Sequence, residues 1–275
     1  MTVINTNTSA AYSQNAMKTN ARFMSKAMEQ LSTGARVNSA SDDAAGLAIS
    51  QNMTSQIRGL NMAIRNVNDG INMMQTSEGA MVEQSNMLQR MRELAVQAMN
   101  GTYSNVQRGY LDKEFQQLTS QIDQIANDTM WNDQAVLQGN AGAAVTFEFQ
   151  AGQDAGQTIS VTIGSMTLSG LGLSGGTEIA TGSAATDALD VISAALETIN
   201  EQRAAIGAGI NRMQYTADNL ANISSNQTQS RSTIVDTDYA IATTQLAKTQ
   251  IIQQASTAML AQANQQAQSV MALLK

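Results

Sequence analysis

Adjacent carboxylates at Asp42 and Asp43 are side chains whose spacing invites a chemical reading. Paired carboxylates do acid–base work when they face one another across a reacting bond, and neighbours on a helix do not. Following Ser41, they read instead as a helix start: a serine N-cap, then two negative charges at the positive end of the dipole. Arg90, Arg92, Glu93, Asp112 and Glu114 gather both signs of charge on two helical segments, the pattern of a solvated face. Methionines recur at helix-seam intervals and read as core rather than as a metal box. The glycine-containing stretches lack the G-x-x-x-x-G-K-[ST] order of a phosphate cradle. Asn222-Ile-Ser matches an N-glycosylation acceptor, a short pattern that carries little weight without a secretory signal.

Two residue types that carry most protein chemistry are missing. The 275 residues include no histidine and no cysteine, which excludes disulfide frameworks, zinc fingers, haem and iron–sulfur ligation, thiol nucleophiles and Ser-His-Asp catalysis. The chain is expected to need no cofactor and no metal and to be no enzyme. A net charge of −7 disfavours nucleic acid and anionic membrane as partners. No apolar run approaches the roughly 20 residues of a membrane span, so no membrane insertion is expected. Met1 to Ala10 lacks a charged region followed by an apolar one, and export, if it occurs, is expected without a cleavable signal.

The elements that must position these side chains are mostly helical. Proline is absent and aromatics are 4%, while alanine and 17 methionines carry much of the apolar content and favour helix. Met53, Ile57, Leu60, Ile64, Val67, Ile71 and Met74 keep an unbroken 4-3 spacing, continued by Met81 and Leu88, with Glu78 and Ser85 in the skipped slots. That is the seam of a helix built to pack on other helices. A helix from Asp42 to Met99 would be roughly 87 Å long, and Asn100-Gly101 reads as its left-handed stop. A second helix over 105–128 is expected to fold back antiparallel, burying Val106, Tyr110, Leu111, Leu118, Ile122 and Ile125. Residues 145–149 and 158–163 alternate with period two and predict a β-hairpin with a longer loop. The seam then returns at Leu189, Ile192, Leu196, Ile199, Ile206, Ile210 and Met213, with only Arg203 interrupting. The two seams predict one packed bundle.

The ends differ. From Ile241 to Lys275 there are eight glutamines, two lysines and no acid. Phe23, Ala27 and Leu31 at one end, with Ile252, Ala255, Met259, Leu273 and Leu274 at the other, make weak stripes that bury too little to offset chain entropy alone. These ends are expected to be mobile in a monomer and to become ordered against neighbouring copies.

The expected architecture is mainly α, a long antiparallel, coiled-coil-like bundle formed by the N- and C-terminal halves, with a small β-hairpin region in the middle. The segment Leu31-Ser-Thr-Gly-Ala-Arg-Val-Asn-Ser-Ala-Ser-Asp-Asp-Ala-Ala-Gly-Leu-Ala-Ile-Ser50 resembles the N-terminal signature of bacterial flagellins. So do Gln56-Ile-Arg-Gly-Leu60, Gln75-Thr-Ser-Glu-Gly-Ala80 and Leu88-Gln-Arg-Met-Arg-Glu-Leu94. At the other end, Asp236-Thr-Asp-Tyr-Ala240, Gln250-Ile-Ile-Gln-Gln-Ala255 and Ala258-Met-Leu-Ala-Gln-Ala-Asn264 resemble the C-terminal signature. Ile241, Gly209 and the final Lys275 depart from the common pattern.

The resemblance implies a structural subunit that self-assembles into the flagellar filament for swimming motility, exported through the flagellar type III channel and located outside the cell. It implies inner-tube terminal helices from residues 1–40 with 236–275, and a helical core domain from 41–138 with 186–235. Residues 139–185 would be the hairpin and Gly/Ser/Thr-rich loops in place of large outer domains. Partners implied are further copies of the chain, an export chaperone, the filament cap and hook-junction proteins, and a host flagellin-sensing Toll-like receptor. On matching positions, receptor and inter-subunit contacts would be Gln89, Arg90, Leu94 and Glu114. A hook–filament junction protein is the alternative within the same class.

Overall fold

The structure, a computed structural model, describes residues 6–139, 143–174 and 176–272, with side chains described as far as residue 265. Five helices dominate the described residues: α1 (Thr8–Thr33), α2 (Ala44–Met99), α3 (Asn105–Asp128), α4 (Gly182–Val235) and α5 (Tyr239–Ala272). Four short strands lie between α3 and α4: β1 (Met130–Trp131), β2 (Gln134–Ala135), β3 (Val145–Gln150) and β4 (Thr158–Ile163). The mainly α architecture with a central hairpin is the one the periodicity predicts. The chain forms two compact units, Met1–Ile57 with Ser225–Lys275, and Arg58–Ser224.

In the unit Arg58–Ser224 the two seams meet in one apolar cluster. From α2 come Leu60, Val67, Ile71 and Met74, with Ile64 half-buried beside them. From α4 come Ile192, Ile199, Ile206, Ile210 and Met213, with Leu189 and Leu196 partly covered. The helices run antiparallel: Ser224 donates to Asn61 Oδ1 at 3.0 Å, while Arg203 faces Glu78 further along. Alanines missing from any hydropathy-based seam, Ala63, Ala185, Ala188 and Ala195, are fully buried. Gln84 is buried in the same core, and its Nε2 donates to the carbonyls of Ile122 (3.2 Å) and Met166 (3.1 Å).

α3 packs back on α2 as expected, with Ile122 buried and Leu111, Leu118 and Ile125 half-buried, but the start of the expected stripe is left outside. Phe115, Thr119, Ile122 and Ala126 are buried, whereas Val106 is 67% and Tyr110 65% exposed. Phe115, the only phenylalanine of α3, is fully buried, while Val106 and Tyr110 near the helix start stay outside. The turn before α3 also differs from the expectation of a left-handed glycine, for Gly101 is not among the residues with positive φ. Arg108 closes the end of α2 instead, donating Nε to the Ala98 carbonyl at 2.7 Å and Nη2 to that of Asn100 at 3.3 Å. These are carbonyls that a helix end leaves without partners. Ser104 and Gln107 form a reciprocal capping box at the start of α3.

β3 and β4 pair antiparallel from Val145↔Ile163 to Gln150↔Thr158. Ile159, Val161 and Ile163 face the helices, and Thr158, Ser160 and Thr162 face outward. Close approach is made possible by glycines: a Cβ on Gly70 would meet the Phe149 ring at 2.8 Å, and one on Gly209 would meet Val161 at 3.3 Å. β1 and β2 form a second, minimal hairpin turning through Asn132 (φ 48°) and Asp133 (φ 63°), residues suited to that backbone.

In the other unit α1 and α5 pack antiparallel. Their buried residues are small or polar: Ala10, Asn20 and Ala27 on α1, Ala242 and Thr249 on α5. Gly34, at φ 72°, ends α1 in the left-handed conformation, and its N–H donates to the Gln30 carbonyl. The segment beyond it bridges to the end of α4, with Arg36 N donating to the Val235 carbonyl at 2.6 Å and Thr237 N to that of Gly34 at 2.9 Å. The start of α2 corrects one expectation. Asp43, not Ser41, is the cap, its Oδ1 accepting from Gly46 N at 2.8 Å.

Candidate functional site

Asp42 and Asp43 have separate structural duties. Asp43 caps α2, while Asp42 accepts from the backbone N–H groups of Asn38 and Ser39 and pairs with Lys26 Nζ at 2.7 Å. The hydrogen bond from Lys26, followed by that from Ser39 N–H, holds the Asp42 carboxyl down at about 2, below its ordinary 3.8. A carboxylate fixed in the charged form by donors on every side is a latch, not an acid or base. Among the described residues no group of three or more His, Cys, Asp or Glu side chains could hold a metal ion. No helix there is long and apolar enough to cross a membrane.

What the molecule offers instead are faces. The first lies on the α1–α5 pair. Asn20 Nδ2 donates to the Thr249 carbonyl at 2.8 Å and to Gln253 Oε1 at 3.2 Å, and Asn7 Nδ2 donates to the Ala263 carbonyl at 3.1 Å. These polar ties hold the pair together while larger apolar side chains stay outside. Tyr12 is 81% exposed and Phe23 55%, and Ile241, Ile251, Ile252 and Met259 are exposed on α5. Tyr12, Ala16, Phe23 and Ile252 line an open hollow of about 430 Å³.

The terminal-helix residues singled out in the sequence therefore divide. Ala27 is buried between the helices and Leu31 is half-buried, whereas Phe23, Ile252, Ala255 and Met259 are exposed. Leu273 and Leu274 lie outside the described residues. In the seam, Ile57 is buried and Met53 half-buried, both in this unit.

The second face belongs to the α2–α3 hairpin. Arg90 forks between two carboxylates, donating Nε and Nη2 to Glu114 Oε1 at 3.0 and 2.9 Å and Nη1 to Glu93 Oε2 at 2.8 Å. Its hydrogen bonds to Glu93 and then to Glu114 push the Arg90 guanidinium further toward its charged form. Gln89 stands exposed beside it. Leu94, expected on this surface, is only 1% exposed and packs in the core beneath, beside the seam residues Leu88, Met91 and Ala95. Asp112 is drawn into support, accepting from Ile179 N–H at 2.9 Å. Around the fork, Gln89, Arg92, Glu93, Val96 and Gln97 surround a shallow hollow of about 560 Å³. Central arginine, exposed valine and flanking polar groups are the ingredients of a protein-binding surface.

Residues 4–142 match the bacterial flagellin N-terminal helical region, and residues 189–274 match the bacterial flagellin C-terminal helical region. A flagellin of Halalkalibacterium halodurans is 42% identical over 274 residues, covering 99% of this chain and 100% of its own. Flagellin FlaB1 of Treponema pallidum is 38% identical over 287 residues, with coverages of 99% and 100%. Among solved structures, a Vibrio parahaemolyticus protein described as flagellar hook-associated superposes with a TM-score of 0.59 at 13% identity, covering 70% of this chain and 99% of its own. At that identity the likeness shows the fold alone.

Proposed function

The chain belongs to the bacterial flagellin family, and from that premise we propose that it is a structural, non-catalytic subunit that polymerises into the flagellar filament. Full-length kinship to flagellins supports this reading. So does the observation that carries it physically: the α1–α5 pair spends its interface on alanines and amides and leaves Tyr12, Phe23, Ile241, Ile252 and Met259 in water. Apolar side chains arrayed along exposed helical faces have surface to bury only against another molecule. In a homopolymer that molecule is another copy.

On this reading residues 1–40 with 236–275 form the inner tube, residues 41–138 with 186–235 the helical core domain, and residues 139–185 the hairpin and Gly/Ser/Thr-rich loops. The chain leaves the cell unfolded through the flagellar type III channel, met by an export chaperone, the hook-junction proteins and the cap, and the finished filament drives swimming. The Gln89–Arg90–Glu114 face serves as an inter-subunit contact and as the surface offered to a flagellin-sensing Toll-like receptor, with Leu94 holding it from beneath.

The test uses full-length protein added to short filament seeds. The native chain should extend seeds without limit in electron micrographs. Ile252→Asp, exposed and so harmless to the fold, should stay monomeric with an unchanged circular dichroism spectrum. Vigorous growth by Ile252→Asp would remove the physical basis of the proposal, and growth that halts after a short ring would favour a hook–filament junction protein.

A further inference from the structure

α5 carries two stripes. Ala242, Leu246, Thr249, Gln253 and Leu260 form one at coiled-coil spacing and are buried or half-buried. Shifted by about a quarter turn, Ile241, Lys248, Ile252, Ala255 and Met259 form another at the same kind of spacing, and every one of them is exposed. A helix with two such stripes can hold one neighbour on each.

Met259, at 63% exposure, places a thioether in the open stripe. The chain has no cysteine, so methionine sulfur is its only sulfur open to oxidation. Six of the 17 methionines are shielded in the core: Met73, Met74, Met81, Met91, Met166 and Met213 are buried. The exposed Met62, Met99 and Met130 belong to the other compact unit, and Met28 is on α1. Among the residues whose side chains are described, Met259 alone combines accessibility with a place in the second stripe of α5.

We infer that Met259 is a site of reversible oxidation by hydroperoxides, and that its sulfoxide prevents a second copy of the chain from packing on this stripe. The sulfur lone pair attacks the distal oxygen of the peroxide, the O–O bond breaks and an S–O bond forms. Sulfur loses two electrons, the peroxide is reduced, and the distal proton passes to the departing oxygen, giving water when the oxidant is hydrogen peroxide. A flexible apolar side chain becomes a polar one with a strong acceptor. Facing solvent, the oxygen is hydrated at no cost. Pressed against the apolar stripe of a neighbour it loses that water, so oxidation opposes association while leaving the single chain folded. The consequence for packing rests on the filament-subunit reading, and the oxidation itself does not.

Native chain and Met259→Leu, which keeps volume and apolarity, are treated as monomers with dilute hydrogen peroxide. They are then mapped by peptide mass and added to filament seeds. Met259 should gain one oxygen, about 16 Da, well before Met74 does. Treated native chain should lose about tenfold or more in seeded elongation, treated Met259→Leu should keep its rate, and methionine sulfoxide reductase should restore the native rate. Met259→Gln should elongate poorly without any treatment. Oxidation of Met259 no faster than of Met74 overturns the site. Full elongation by chains shown to carry the Met259 sulfoxide overturns the consequence, as does equal loss in Met259→Leu. Failure of untreated native chain and untreated Met259→Leu to elongate at all strikes the filament reading instead, and the mass map still decides the site.

Discussion

Asn20 on α1 donates its side-chain amide to the Thr249 carbonyl on α5 at 2.8 Å, between two residues that are both buried. The second amide hydrogen reaches Gln253 Oε1 at 3.2 Å. An apolar side chain there would bury more grease, but it would accept any register. Sliding the helices by one turn, ~5.4 Å, strands the amide at ~1–3 kcal/mol, so Asn20 selects a single alignment. Asn20→Leu should therefore leave the pair at least as heat-stable while loosening its register. Spin labels on α1 and α5 should give one narrow distance distribution in the native chain and a broad one in Asn20→Leu. An equally narrow distribution in the variant would show that shape alone sets the alignment.

Glu78 on α2 and Arg203 on α4, the two charges that interrupt otherwise apolar seams, face each other at 3.7 Å. Each remains partly exposed, so screening keeps the pair weak. A double-mutant cycle on Glu78→Gln and Arg203→Gln should give a coupling of ~0.2–1 kcal/mol that shrinks as salt is raised. Exchanging the two, as Glu78→Arg with Arg203→Glu, should recover most of what either single exchange loses. No recovery would mean that the charges are tolerated in the seams rather than matched across them.

Asp42 gives the terminal-helix unit a defined acid limit. Its folded carboxyl titrates at about 2 against an ordinary 3.8, held down first by Lys26. A depressed folded value contributes stability that is complete above the ordinary value and is lost as pH falls through the folded one. The connection over residues 36–43 should accordingly stay closed at about pH 4 and loosen toward about pH 2. Carboxyl and Ser39 amide resonances would follow it. Lys26→Met should move the midpoint upward, toward 3.8, and Asp42→Asn should abolish the step. An Asp42 midpoint unchanged in Lys26→Met would discard the latch.

The long-range plan of the fold was legible where large side chains kept a strict period. The limits of α3 and the pairing of 145–149 with 158–163 follow from pattern, as do the two seams, because burial of Ile, Leu and Met is what those positions do. Legibility failed where the buried residue was small, polar or competing. On α3, Ile122 was legible, but Thr119 and Ala126 look neutral beside Val106 and Tyr110, and the buried Phe115 lay off the expected stripe. Ser41 and Asp43 are both good caps, and the choice went to Asp43 because Asp42 is committed to Lys26 and the 38–39 backbone. In the candidate surfaces, the antiparallel return expected of α3 brings Glu114 to Arg90, while the atom-by-atom pairing of the fork is not encoded by spacing. The Asn20 tie carries no hydropathy signal at all.

Gly70 and Gly79 lie on the same helix and should respond to the same substitution with opposite signs. A Cβ on Gly79 meets nothing within 4 Å, so Gly79→Ala should gain ~0.5–1 kcal/mol by reducing the freedom of the unfolded chain. A Cβ on Gly70 would fall at 2.8, 3.0 and 3.1 Å from three atoms of the Phe149 ring. Gly70→Ala gains the same ~1 kcal/mol of helix propensity but incurs ~1–3 kcal/mol of overpacking, because the ring must lift and take β3 with it. The net should be a loss of about 1 kcal/mol in urea unfolding, with faster amide exchange in β3 and β4. Phe149→Ala should relieve the clash, so that Gly70→Ala made on that background becomes neutral or stabilising. If Gly70→Ala stabilises the native background as Gly79→Ala does, the hairpin does not rest on α2 as closely as the glycine implies.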